Sequence, residues 1–107
     1  MSDFERLATE ALEGLVIAMD SCDLDCDVDQ KGDGVLEITL TDGSKIIINR
    51  NSSAGEIWVA AKSGGYHFRR SGETWINTRS GEGLVDRLSR CLSEQCGICV
   101  DLRDQRQ

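Results

Sequence analysis

The chain has one histidine, no apolar run near the length of a membrane span, and no cluster of basic residues. Each shortage removes a class of function. A helix needs about 20 consecutive apolar residues to cross a bilayer, so no membrane role is expected. With a net charge of -7 and nothing basic gathered in one place, the chain cannot displace counterions from a phosphate backbone, and no nucleic-acid partner is expected. His67 falls in a strand-like segment, and no Gly-x-Ser-x-Gly or phosphate-loop pattern surrounds a candidate nucleophile, so the chain does not read as an enzyme. The opening Met1-Ser2-Asp3-Phe4-Glu5 lacks the basic and apolar parts of a signal peptide, which predicts a cytoplasmic protein. Five cysteines, an odd number without an export signal, predict reduced thiols rather than a disulfide framework.

The length of 107 residues, with 39% hydrophobic and 29% charged residues, suits one globular domain over 1–107 and argues against disorder. The acid is unevenly spread. The first 29 residues hold nine acids and one base (net -8), whereas the remaining 78 hold ten acids and eleven bases (net +1). Asp23, Asp25, Asp27 and Asp29 stand at every second position. An extended strand would place all four carboxylates on one side and turn Leu24, Cys26 and Val28 towards a core. Carboxylates this close repel one another, which suggests either a cation or a basic partner, or else a solvated face that only aids solubility.

Phe4, Leu7, Ala8, Ala11, Leu12, Leu15, Ala18 and Met19 recur at helical spacing and predict an amphipathic helix from about residue 3 to 20. At 100° per residue, Asp3, Glu10, Glu13 and Asp20 share an arc of about 100° on its opposite face, interrupted by Ile17, with Val16 beside it. Lys31-Gly32-Asp33-Gly34 reads as a turn, and Val35 to Thr41 as a strand with Leu36, Ile38 and Leu40 on one face. Asp42-Gly43 is a hairpin signal leading into Lys45–Asn49. A loop over Asn51–Gly55, a strand from Ile57 to Ala61, a turn at Ser63-Gly64-Gly65, a strand around Tyr66–Arg69, a turn at Ser71-Gly72 and a strand at Thr74–Ile76 follow. Ser80 is the expected cap of a second helix whose face is Leu84, Val85, Leu88, Cys91 and Leu92, with Gly97 as its stop. Ile98 to Leu102 reads as a short terminal segment. The predicted class is α+β: two helices side by side on one face of an antiparallel sheet of about six strands, the other face open to solvent.

Calcium-loop chemistry does not fit the aspartates. Counting from Asp23 or Asp25 puts Val28 or Gln30 where the sharp-turn glycine belongs, and Gly34 or Leu36 where the bidentate glutamate belongs. An open ridge remains, able to hold hard cations weakly through oxygen ligands. Cys91, Cys96 and Cys99 have the spacing of a plant-type iron–sulfur loop, with Cys22 or Cys26 as a conceivable fourth ligand, but Cys91 occupies a core position of the second helix, so no stable cluster or zinc site is expected. Glu56, Trp58 and Ala60 share a strand face opposite the more uniformly apolar Ile57, Val59 and Ala61. Trp58 therefore points away from the core, either as an exposed anchor for protein contact or half covered by neighbouring strands. Trp75 reads as a packing residue.

The acidic helix and strand, followed by Asp42-Gly43-Ser44-Lys45-Ile46-Ile47-Ile48-Asn49-Arg50, Ile57-Trp58-Val59-Ala60, Gly64-Gly65-Tyr66-His67-Phe68 and Thr78-Arg79-Ser80-Gly81, resemble bacterial frataxin of the CyaY type. The match runs in order from Phe4 to Arg103. The resemblance implies an α-β sandwich and a part in iron–sulfur cluster assembly. It also implies weakly bound iron, ferrous or ferric, and contact with a cysteine desulfurase and an iron–sulfur scaffold protein. It places the metal ridge at Asp20, Asp23, Asp25, Asp27 and Asp29, joined by the helix acids Glu10 and Glu13, and the partner-binding sheet face at Asn49 and Trp58. The expected state is a monomer, with iron-induced oligomers as a further option. Alternatives are a purely regulatory acidic module in which iron binding is incidental, or a weak ferroxidase. The chain departs from the family pattern at Val16 and Ile17, where relatives usually carry acids, and at Glu56, where they usually carry Gln.

Overall fold

The computed structural model describes residues 3–21, 26–32, 34–97 and 102. Helix α1 (Asp3–Ser21) is followed by strands β1 (Cys26–Gln30), β2 (Val35–Leu40), β3 (Lys45–Asn51), β4 (Glu56–Ala61), β5 (Gly64–Ser71) and β6 (Thr74–Asn77), then by helix α2 (Leu84–Cys96). The six strands form one sheet in sequence order, every neighbouring pair antiparallel. This is the α+β arrangement expected from the alternation of helical and two-residue periods.

One parity of strand residues builds the core. Leu36, Ile38, Leu40, Ile46, Ile48, Ile57, Val59, Phe68 and Trp75 are buried, and they meet Ala8, Leu12, Leu15 and Met19 of α1 and Leu84, Leu88, Cys91 and Leu92 of α2 in a single cluster. Both helices therefore cover the same side of the sheet, and the other parity faces solvent. Arg50 fixes α1 to β3, its Nη1 donating to Thr9 Oγ1 at 2.7 Å. Leu102, nearly fully buried, packs on α2, where its N–H donates to Ser89 Oγ at 3.0 Å.

Three local expectations are corrected. Gly64 and Gly65 belong to β5, not to a turn. They pair with Ala61 and Ala60, and the ladder continues down to a two-residue turn at Lys62 and Ser63. Ser80 does not cap α2. The N-cap is Gly83, without a side-chain hydrogen bond, because Asn77 N–H bonds Glu82 C=O at 2.7 Å and Ile76 bridges Gly83, which holds the chain along β6 until residue 83. Ser80 Oγ instead accepts the N–H of Glu82 at 3.2 Å. Val85 leaves the buried face of α2 and is 36% exposed; Ser89, one turn on, is buried there instead, its hydroxyl donating to Val85 C=O at 2.8 Å. Gly97 does end the helix, with φ 74° and its N–H bonded to Ser93 C=O at 3.0 Å, the left-handed cap that glycine adopts without a Cβ penalty.

Candidate functional site

Two surfaces emerge, one acidic and one aromatic. On β1 the pleat turns Cys26 and Val28 towards the core and leaves Asp27 and Asp29 exposed. β1 is an edge strand, so these carboxylates stand on a border of the sheet. Asp29 lies directly across from Glu37, a like-charge pairing that costs stability. Lys31 approaches both, at 3.9 Å from Asp29 and 4.0 Å from Glu37, and Lys45 reaches Glu37 at 3.2 Å. Asp20 is exposed in the last turn of α1, a turn without a basic residue. Its charge adds to the negative end of the helix dipole instead of opposing it, so the C-terminal end of α1 attracts cations. Asp23 and Asp25 lie outside the described residues, as do Cys22, Leu24 and Cys99.

Glu10 and Glu13 are exposed on α1. Glu10 is paired with Arg6 at 3.5 Å and borders a groove of about 700 Å³ between the two helices, which Glu73 and Asp86 also line. Ile17, 66% exposed, lies at the same groove. Among the described residues, no three His, Cys, Asp or Glu side chains converge as a metal cage. The described acids offer single carboxylate ligands on an open surface, which suits a hydrated hard cation held loosely. Cys91 is fully buried, and burial raises its thiol pKa, as it does for Cys96. Raised thiol pKa values suppress the thiolate that metals bind.

On the open face of the sheet, β4 brings Trp58 opposite Asn49 of β3 and opposite His67 of β5. The indole and imidazole rings stack at 4.6 Å with 14° between planes. Trp58 is half-buried on this outward face, and its Nε1–H donates to Glu56 Oε1 at 2.8 Å. Arg69 Nη2 donates to Glu56 Oε2 at 3.0 Å, and His67 Nδ1 lies 3.5 Å from Oε1. The Trp58 hydrogen bond, followed by the Arg69 bond and charge, outweighs burial and holds the Glu56 carboxyl below the usual glutamate range. Asn49 and Trp58, the two residues assigned to this face, are thus adjacent in register. The roles of Glu56, His67 and Arg69 escaped the sequence reading. The shared parity of Glu56 and Trp58 was the one visible signal, because the rest depends on how β5 registers against β4.

Residues 1–98 match the family model of the frataxin-like domain. The chain is 47% identical over 102 residues to the iron–sulfur cluster assembly protein CyaY of Dechloromonas aromatica, covering 95% of this chain and 97% of that one. It is 42% identical over 106 residues to the protein of the same name from Cupriavidus metallidurans, covering 95% of each. Among solved structures, the frataxin of Psychromonas ingrahamii superposes with a TM-score of 0.87 at 28% identity, over 94% of this chain and 95% of that one. Trimeric yeast frataxin complexed with ferrous iron shares the fold, with a TM-score of 0.71 at 21% identity over 85% and 86% of the two chains. Family match, relatives and architecture agree: this chain belongs to the frataxin family, in its bacterial CyaY-type branch.

Proposed function

We propose that the chain is an iron-binding adaptor and regulator of iron–sulfur cluster assembly, which docks through its acidic ridge on a cysteine desulfurase and its scaffold protein, with the Asn49–Trp58 face as a further partner-binding surface. Its relatives of 42–47% identity carry the name of iron–sulfur cluster assembly proteins, and the yeast frataxin of the same fold is complexed with ferrous iron. The observation that carries the reading is the exposed acid along the β1 edge and in the last turn of α1. Asp27 and Asp29 stand exposed on an edge strand, and Asp20 sits at the negative pole of α1. Such a surface steers a basic partner and holds iron by charge density, without the cage that tight or selective binding requires. Asp23 and Asp25 extend the same series in the sequence.

The chain supplies position and charge and forms no covalent intermediate, so its effect on cluster formation is regulatory. It works in the cytoplasm as a monomer, with iron-induced oligomers as a further state. An anaerobic calorimetric titration with ferrous iron, run with and without the desulfurase, tests this. Weak ferrous binding that changes when the desulfurase is present supports the adaptor. Desulfurase binding with no iron binding in either titration would favour the purely regulatory module. Oxygen-dependent turnover of ferrous iron would identify a ferroxidase instead.

A further inference from the structure

Among the described residues Glu56 is the most deeply covered carboxylate on the open sheet face, with its side chain 11% exposed, whereas its neighbours His67 and Arg69 are 50% and 63% exposed. It stands two residues before Trp58 on the same strand and therefore on the same face. Its two oxygens divide the work, Oε1 taking the indole N–H at 2.8 Å and Oε2 the Arg69 guanidinium at 3.0 Å. An ionised carboxylate only accepts hydrogen bonds, so both donors can converge on it without competition from a donor of its own. Trp58 is then restrained twice, along its strand by the Glu56 bond and across strands by the stack on His67 at 4.6 Å. A tryptophan has only two side-chain torsions, and two such restraints leave neither free.

We propose that Glu56 is a positioning residue for Trp58, holding the indole flat against His67 so that the sheet face offers a preordered aromatic anchor to the scaffold protein. The second half of this inference rests on the reading that Trp58 is a docking residue. Preordering matters because a partner that must immobilise a free side chain loses affinity in doing so. Glu56 also neutralises Arg69, so the contact made at Trp58 is aromatic and amide in character, with Asn49 beside it, and depends little on salt.

The test compares the full-length protein with Glu56→Ala, Glu56→Gln, Arg69→Ala and Trp58→Ala, all at a temperature where each is folded. Hydrogen exchange of the indole N–H reports the order of Trp58, with Trp75 as an internal reference because its Nε1 is buried without a hydrogen-bond partner among the described residues. Glu56→Ala is expected to expose the Trp58 N–H to exchange at least about tenfold faster and to weaken scaffold binding about three- to tenfold. Glu56→Gln keeps an acceptor oxygen and is expected to restore both. Arg69→Ala removes the ion pair but leaves the indole bond, and is expected to leave Trp58 exchange unchanged. Unchanged exchange in Glu56→Ala, or equal loss of protection in Arg69→Ala, would overturn the inference, as would a freed indole with undiminished affinity. If Trp58→Ala itself binds the scaffold normally, the docking reading of the sheet face fails, and indole exchange alone decides whether Glu56 orients Trp58.

Discussion

Trp58→Ala should cost both stability and affinity, but by different routes. The substitution removes a hydrogen bond to a carboxylate at 2.8 Å and a ring stack at 4.6 Å, and uncovers only part of a half-buried side chain. A stacked aromatic pair contributes about 0.5–1.5 kcal/mol and a hydrogen bond to a charged group about 1.5–3 kcal/mol. Part of the latter is retained because Glu56 keeps Arg69. A loss of about 2 kcal/mol in folding free energy is therefore expected, more than a free surface tryptophan would cost and less than a core aromatic. Phe68, fully buried on the neighbouring strand, gives the core benchmark: Phe68→Ala should cost about 3–5 kcal/mol. Urea denaturation of the two variants measures both. If Trp58 also anchors the scaffold protein, its removal should weaken that complex by about 2 kcal/mol, roughly 30-fold, with little dependence on salt. A Trp58→Ala protein as destabilised as Phe68→Ala, yet binding the scaffold like the parent, would refute the reasoning and make Trp58 a packing residue.

Gly14 lies in the interior of α1, where an added Cβ would meet no described residue within 4 Å, so Gly14→Ala should stabilise by about 0.5–1 kcal/mol; Gly97→Ala, forced into φ 74°, should cost about 1–2 kcal/mol, and thermal melts of the pair should move in opposite directions. Partial burial raises the pKa of Glu82, but hydrogen bonds from Arg90 and Arg87, each 2.7 Å, outweigh that and hold it below the ordinary 4.5. Its stabilisation is thus fully present above pH 4.5 and lost as pH falls through the lower folded value, so the stability gap between the parent and Glu82→Gln should close in acid denaturation series. Ile17→Glu places a carboxylate one turn from Glu13 and near Asp20, and should lower the melting temperature slightly without metal while increasing ferrous binding in anaerobic calorimetry.

The fold was legible because its strands alternate cleanly. Leu36, Ile38, Leu40, Ile46 and Ile48 mark the buried parity without help from tertiary contacts, and Asp42-Gly43 marks the hairpin between them. Helix α1 was equally plain from its apolar stripe. The start of α2 was not, because Ser80 has the chemistry of a cap while the backbone pairing of Asn77 with Glu82 delays the helix by a non-local bond. The shared exposed face of Asp27 and Asp29 could be read from spacing alone, since i and i+2 share a face in any strand. The cluster under Trp58 could not. Glu56, His67 and Arg69 meet only when β5 is registered on β4 with Trp58 opposite His67, and assigning Gly64 and Gly65 to the turn leaves that register undetermined.

The central claim is that exposed acid on β1 and at the end of α1 binds a basic face of a cysteine desulfurase. Isotherms for the parent and for Asp27→Asn/Asp29→Asn, measured against the desulfurase over a range of ionic strength, test it most directly. The parent should bind progressively more weakly as salt rises. The double variant should be weaker at low salt, with the two curves converging at high salt as screening removes the difference. Equal affinities at low salt, or a parent isotherm indifferent to ionic strength, would contradict the account.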